Sequence, residues 1–229
     1  PKFSFRHGQS HFFPTTAIDK KWYNTITWNY GLNYTNVQRF YFESIESDSN
    51  QFFWSDNQKN DENDGWVHTS AINAPQNLFK YISINPRINI KSAWVNKTYD
   101  GIWDEDENKF IKNERIGFDS RTTGSFSINS STQVYGLIPI PFGPIKSIRH
   151  VISPNIGYSW TPDFSDEVFG KNFGYVKKKF DSDGIEIGSL DRFSGTIAGN
   201  TPKSEQKSMT FGLNNIFQAK IFDGKEEKK

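Results

Sequence analysis

Apolar and polar positions alternate with a period of two along much of this chain, most clearly from Ile148 to Trp160. The even positions there are Ile148, His150, Ile152, Pro154, Ile156, Tyr158 and Trp160. The odd ones are Arg149, Val151, Ser153, Asn155, Gly157 and Ser159. Successive side chains of a strand point to opposite faces, so this is a strand with one apolar face. Its 13 residues exceed the usual globular strand of roughly 5–6. About 9–11 tilted residues cross a bilayer, and aromatic girdles mark its interfaces, so the stretch has the dimensions of a transmembrane β-strand.

The same pattern recurs. Lys2 to His7 alternates with Phe3 and Phe5 on one face. From Trp22 to Tyr34 one face carries Trp22, Ile26, Trp28, Tyr30, Leu32 and Tyr34, and the other Thr25, Thr27, Asn29, Gly31 and Asn33. Trp66 to Ala74 is weaker and is turned by Pro75-Gln76-Asn77. Lys80 to Trp94 sets Ile82, Ile84, Pro86, Ile88, Ile90 and Trp94 against Ser83, Asn85, Arg87, Asn89 and Lys91. Pro86 is awkward inside a strand, because it lacks the N–H that a ladder needs. Ile116 to Ser130, Gln133 to Ile140 and Ser208 to Phe222 complete the set, with Asn129-Ser130-Ser131 read as a tight turn.

Between these strands the alternation fails over residues 35–65, 96–115 and 164–207, where Ser, Asp, Asn, Gln, Glu and Lys dominate. Structureless links near 30 residues are unusual in a compact soluble domain but ordinary as external loops of a barrel. The expectation is an all-β, antiparallel transmembrane β-barrel segment with about eight long strands and long polar loops. Residues 1–229 then form a single partial β-barrel domain, a fragment of a larger barrel. The absence of a leader at Pro1 and of a terminal aromatic strand suggests an internal piece of a longer chain.

Composition sharpens this. Aromatic residues make up 16% of a chain with 23% charged residues and 21 Phe, and its mean hydropathy is −0.70. A wall that is polar on one face and aromatic on the other reconciles the two. A net charge of +1, without a basic stripe, offers nothing to nucleic acid. There are no cysteines, hence no disulfide framework or thiol chemistry.

At Tyr135-Gly136, at Ile145-Lys146-Ser147-Ile148-Arg149-His150-Val151-Ile152-Ser153-Pro154 and at Gly157-Tyr158-Ser159-Trp160-Thr161-Pro162-Asp163-Phe164 the chain resembles the barrel of the LPS-assembly protein family LptD. The motif residues are Arg149, His150, Pro154, Tyr158, Pro162, Asp163 and Phe164. Phe3-Ser4-Phe5, Phe12-Phe13-Pro14 and Lys21-Trp22-Tyr23 look like the same family, in its divergent central-domain form. The resemblance implies an outer-membrane barrel in the Gram-negative cell envelope that inserts lipopolysaccharide into the outer leaflet. It further implies a lumen plug lipoprotein (LptE-like) and periplasmic LPS-bridge proteins as partners. The rivals are another outer-membrane barrel, of porin or TonB-dependent receptor type, and a soluble aromatic-rich carbohydrate-binding β-sandwich.

The residues expected to face lipid are Trp22, Ile26, Trp28, Tyr30, Leu32, Ile82, Ile84, Ile88, Ile90, Trp94, Ile152, Ile156 and Trp160. Arg87, Lys91 and Arg121 are expected to face the lumen, solvated or paired with Asp119. Arg149 and His150 fall on opposite faces and cannot act on one group. The run Asp104-Glu105-Asp106-Glu107 has an EF-hand start, but Lys109 stands where the loop needs Gly and Arg115 where it needs Glu. Both it and Asp181-Ser182-Asp183 read as solvated loop charge. No nucleophile elbow, phosphate loop or zinc motif is present, so the reading is non-catalytic, with no cofactor and no metal.

Overall fold

The computed structural model describes residues 1–16, 18, 21–46, 52–140, 143–223 and 226–228, with backbone alone for 40–46, 52–60, 222–223 and 226–228. The chain forms β1 (Lys2–His11), β2 (Thr27–Glu46), β3 (Phe52–Asn73), β4 (Gln76–Leu78), β5 (Ile82–Asp104), β6 (Lys109–Thr132), β7 (Val134–Pro139) and β8 (Ile145–Thr161). A lobe follows, holding β9 (Glu167–Val168), β10 (Lys171–Asn172), β11 (Val176–Phe180) and β12 (Glu186–Asp191), and then β13 (Gln206–Asp223) and β14 (Glu226–Lys228). One antiparallel ten-stranded sheet runs β1-β2-β3-β5-β6-β8-β13-β14, with β4 beside β5 and β7 beside β8. The sheet is open.

Register carries the alternation from strand to strand. Trp28, Ile72, Ile88, Phe126 and Trp160 pair in succession across five strands. The adjacent row is Thr27, Asn73, Arg87, Ser127 and Ser159. One face of the sheet is therefore apolar and aromatic, and the other small and polar.

Two expected loops are strands. Residues 35–46 and 52–65 belong to the β2–β3 hairpin, with Thr35 opposite Gly65 and Arg39 opposite Asp61, and the expected loop at 47–51 lies outside the described residues. Residues 96–115 belong to the β5–β6 hairpin, which turns only at 105–108. The polar composition there reflects strands that carry polar residues on both faces, which lose the period-two signal without losing the ladder. At the other end, Trp22–Thr25 is a 3-10 turn rather than the start of a strand. Lys21 N–H donates to the Asn24 side chain at 2.8 Å, and Asn24 N–H returns a bond to the Lys21 carbonyl at 3.0 Å.

Asn129-Ser130-Ser131, expected as a turn, continues β6, and β7 extends β6 beyond a break at Gln133. Both strands are antiparallel to β8. In the same way β4 extends β3 along β5. The reversal into β5 comes at Phe79 and Lys80, both with left-handed backbone, rather than at Pro75-Gln76-Asn77. The free ends of the β2–β3 and β5–β6 hairpins and the lobe between β8 and β13 thus share one end of the sheet, and the reversal at 79–81 lies at the other.

These breaks explain the prolines. Asn73 pairs with Arg87 and Gln76 with Ile84, so Pro86 lies opposite the β3–β4 step. Ile152 pairs with Val134 and Asn155 with Ser131, so Pro154 lies opposite the β6–β7 step. A residue without an N–H sits where its neighbouring strand is interrupted. Pro154→Ala in the full-length protein should therefore leave assembly intact. Tyr158→Pro, at a position paired to both Ile128 and Met209, should abolish the folded, heat-modifiable band on gels.

Candidate functional site

The third predicted loop is a folded lobe, and it docks on the polar face. Its Phe164, Val168, Tyr175, Val176, Phe193 and Ala198 form a core with Ala93 and Val95 of β5, while Val67 of β3 packs at the margin. Phe193 is completely buried, a burial of the order of 2–3 kcal/mol for a large side chain. The approach is close. A Cβ on Gly65 would lie 2.2 Å from the Trp94 carbonyl oxygen and 2.9 Å from Ile197 Cδ1.

Hydrogen bonds fix the docking. Asn63 of β3 donates to the Gly195 carbonyl at 2.7 Å and accepts from Ile197 N–H at 3.1 Å, as a strand edge would. Arg121 is 3% exposed. Its guanidinium donates to the carbonyls of Ala198 (2.6 Å) and Gly199 (2.7 Å) and to Thr201 Oγ1 (3.0 Å). Thr201 in turn donates from Oγ1 (2.9 Å) and N (2.6 Å) to the buried Asp191 carboxylate. The cation thus reaches a counter-charge through one hydroxyl, which offsets the cost of burying both. Asp119, the expected partner of Arg121, instead binds Arg192 at 2.5 Å.

Above this level ion pairs hold the lobe to the β5–β6 hairpin. Lys177 pairs with Asp100, and Lys179 with Glu105 at 2.8 Å. Hydrogen bonds from these lysines hold both carboxyls below the usual carboxylate range. Lys97, 5% exposed, pairs with Asp61 and, at 2.9 Å, with Glu114. Burial opposes its charge, but the two carboxylates hold its ammonium above the ordinary lysine value. Lys112 lies 3.4 Å over the Tyr99 ring and donates to the Ser194 carbonyl.

Below the lobe the polar face bears a cavity of about 380 Å³ whose lining includes Asn29, Thr69, Arg87, Asn89, Lys91 and Ser125. Arg87 Nε donates to the Asn89 side chain at 2.7 Å, and Lys91 approaches the Ala198 carbonyl at 3.4 Å. The three cations named from the sequence therefore share one face, but only Arg121 is buried. The residues expected to face lipid gather on the opposite face, where Ile88, Ile90, Trp94 and Ile156 are exposed, with Trp22 standing at the 3-10 turn. The arrangement can sort matter by polarity across a thin wall. Among the described residues it brings no acid–base pair or nucleophile together.

The motif around β8 also acquires a structural meaning. His150 stacks on Phe217 at 4.0 Å between ring centroids, and Arg149 lies over Tyr135 at 4.7 Å, on opposite faces of β8. Pro162 is buried. Asp163 accepts from Ser165 N–H (2.8 Å) and Oγ (2.6 Å), and Phe164 N–H donates to the Pro202 carbonyl at 2.9 Å. Pro162-Asp163-Phe164 is the hinge that turns the wall into the lobe. The acidic runs are self-capping turns. Asp104 accepts from the N–H groups of Asp106 and Glu107, and Asp181 from those of Asp183 and Ile185.

Sequence reasoning missed Phe193, Asp191 and the lobe core. The available signal was Phe193, followed by Ile197 and Ala198 between Gly195 and Gly199, an apolar island in a polar stretch.

The class defined by the fold is an all-β protein built on a long-stranded antiparallel sheet with one apolar and one polar face. A protein-family model described as LptD protein matches residues 1–229, and the chain belongs to the LptD family. That family is a non-enzymatic component of lipopolysaccharide transport and resides in the outer membrane. Comparison with curated proteins and with solved structures gave no match.

Arg121→Ala removes three charge-assisted bonds and should weaken lobe docking by about 3 kcal/mol. Hydrogen exchange should then rise at 193–201 and stay unchanged along β8 and β13. For Asp100 and Glu105, a depressed folded pKa means that their stabilisation is complete above the ordinary carboxylate range and is lost as pH falls through the folded value. Exchange at 176–180 should therefore accelerate below about pH 4, and not between pH 6 and 8.

Proposed function

We propose that residues 1–229 are part of the wall of an outer-membrane β-barrel that inserts lipopolysaccharide into the outer leaflet. The segment is one partial barrel domain of a longer chain, with its apolar face against lipid and its polar face towards a hydrated lumen. The observation that carries this reading is the contiguous exposed apolar face. Phe3, Trp66, Trp94, Ile88, Ile156 and Phe211 are all more than a third exposed, far beyond the scattered apolar residues of a soluble surface. A β-sandwich would have covered that face with a second sheet.

The dimensions agree. On β5 the apolar face runs from Ile82 to Trp94, about 40 Å along a strand that rises roughly 3.3 Å per residue. Tilted by about 45°, it spans roughly 28 Å, close to the ~25 Å apolar band of outer-membrane barrels. No helix among the described residues is long and apolar enough to cross a membrane, so the strands carry the crossing in this reading. Long connections face outward in such barrels, which assigns the lobe between β8 and β13, and with it the β5–β6 turn at 105–108, to the cell exterior and the opposite end of the sheet to the periplasm. The lobe then covers the outer part of the lumenal face.

The role is that of a guide without chemistry. Sugars and phosphates of lipopolysaccharide are matched to the polar face, where Arg87 is exposed and Lys91 stands at the margin of the lobe, and the acyl chains to the apolar face. A plug lipoprotein would meet the same lumenal surface, and periplasmic bridge proteins would deliver lipid to the barrel.

Arginine substitution tests the facing. Trp28→Arg and Ile156→Arg in the full-length protein should block outer-membrane assembly, a penalty of about 2–4 kcal/mol near the midplane. Asn29→Arg and Asn155→Arg should assemble nearly normally, as read by heat-modifiable migration and outer-membrane yield. Equal defects on both faces would overturn the assignment.

A further inference from the structure

The wall has one opening within this segment. The β6–β8 ladder reaches only as high as Phe126 opposite Trp160, and above that point the edge of β6 parts from β8. Part of that edge is sealed by Tyr175 of the lobe, whose hydroxyl accepts from Thr122 N–H at 2.9 Å and donates to the Thr122 carbonyl at 3.2 Å. Beside it lies a cleft of about 490 Å³, within the range of small-ligand sites. Ile88, Ile90 and Phe126 line it from the sheet, and Val168, Phe169 and Phe173 from the lobe.

Two features indicate what the cleft holds. Its walls are almost wholly apolar, and Ile88, Ile90 and Phe126 belong to the exposed apolar face. The cleft thus opens beside that face at the upper edge of β6, with Thr123 and Ser125 bordering it on the polar side. Apolar recesses of this kind stay dry, so hydrocarbon rather than water is the matching occupant.

The second feature is strain. Phe169 and Gly170 are the two central residues of the β9–β10 hairpin, both with left-handed backbone, φ +53° and +75°. Asn-Gly or Gly-Gly suits such a turn, whereas a bulky aromatic in its first position is held there at a cost. Phe169 is nonetheless 87% exposed and meets Trp160 edge-on, at 5.8 Å between centroids. A strained side chain presented at the mouth of an apolar recess, without burial of its own, fits a ring that closes over something arriving from outside.

We propose that this cleft takes one acyl chain of a lipid from the surrounding outer leaflet, with Phe169 as its lid. Lys171, whose ammonium lies 5.1 Å from the Phe173 ring centroid, stands beside the mouth on the side where a headgroup would lie. The proposal rests on the barrel reading. It adds a lipid site in the wall, set by the lobe, that neither face alone would supply.

The test is photo-crosslinking in native outer membranes, with benzoylphenylalanine replacing Phe169 or, separately, Phe211 of the full-length protein. Phe211 is on the apolar face, 70% exposed and remote from the cleft. Lipid adducts are expected at both positions by mass spectrometry. Ile90→Trp, which fills the cleft, should lower the adduct at 169 about tenfold and leave that at 211 unchanged. Ile88→Trp should do the same from a second site. An adduct at 169 that is absent, or indifferent to both filling variants, while 211 still labels lipid would overturn the site. Absence of lipid at 211 as well would overturn the barrel reading beneath it.

Discussion

Everything in this molecule depends on one constraint, the unbroken register of an antiparallel ladder across seven long strands. Because side chains alternate with period two, a slip of one residue would exchange the faces of a strand and put Asn and Ser where Trp and Ile belong. The rows through Trp28 and Thr27 keep their character from β2 to β8. The ladder of the edge strand β1 shifts between His7 and Ser10, whereas the rows from β2 to β8 run on until alternation is no longer needed. The bulge between Val95 and Lys97 falls just above Trp94, after which Lys97 and Thr98 are both buried in succession. There the strand ceases to be a membrane wall in our reading and becomes one half of a hairpin gripping the lobe.

The polar face serves two purposes. Its lower part stays polar and open, with Arg87, Asn89 and Lys91 around a cavity. Its upper part, at Ala93 and Val95, is small and apolar, and the only apolar core cluster among the described residues lies there, beneath the lobe. Small side chains permit the close approach, Arg121 anchors the lobe's carbonyls, and ion pairs at the rim add an attachment that salt and acid weaken. A polar insertion of this length would be disordered if it could bury nothing. Phe193, Tyr175 and Phe164 give it enough to bury.

The fold was legible where one face is apolar and the other polar. Ile148 to Trp160 lies within β8, the stretch read from Lys80 to Trp94 lies within β5 from Ile82 onward, and the LptD resemblance carried by Arg149 to Phe164 agrees with the family match. Legibility failed where both faces carry polar residues, since Asp61, Glu62 and Asn63 on β3 leave no alternation to detect. It failed at Trp22, where a chance period-two spacing ran on into a 3-10 turn, and at Asn129-Ser130-Ser131, whose turn-forming residues are held in β6 by pairing with both neighbours. The docking of Arg121 depends on contacts about 77 residues away along the chain, which no local pattern encodes.

The central claim is that the two faces of this sheet meet lipid and water respectively. Because the chain has no cysteine, single cysteines placed along β5 from Ile82 to Trp94 can be labelled one at a time in intact outer membranes, in a background cleared of any other reactive thiol. A membrane-impermeant maleimide should label Asn85, Arg87 and Asn89 positions and spare Ile84, Ile88 and Ile90, with position 93 protected until Arg121→Ala loosens the lobe. Labelling that does not alternate along the strand would contradict the account.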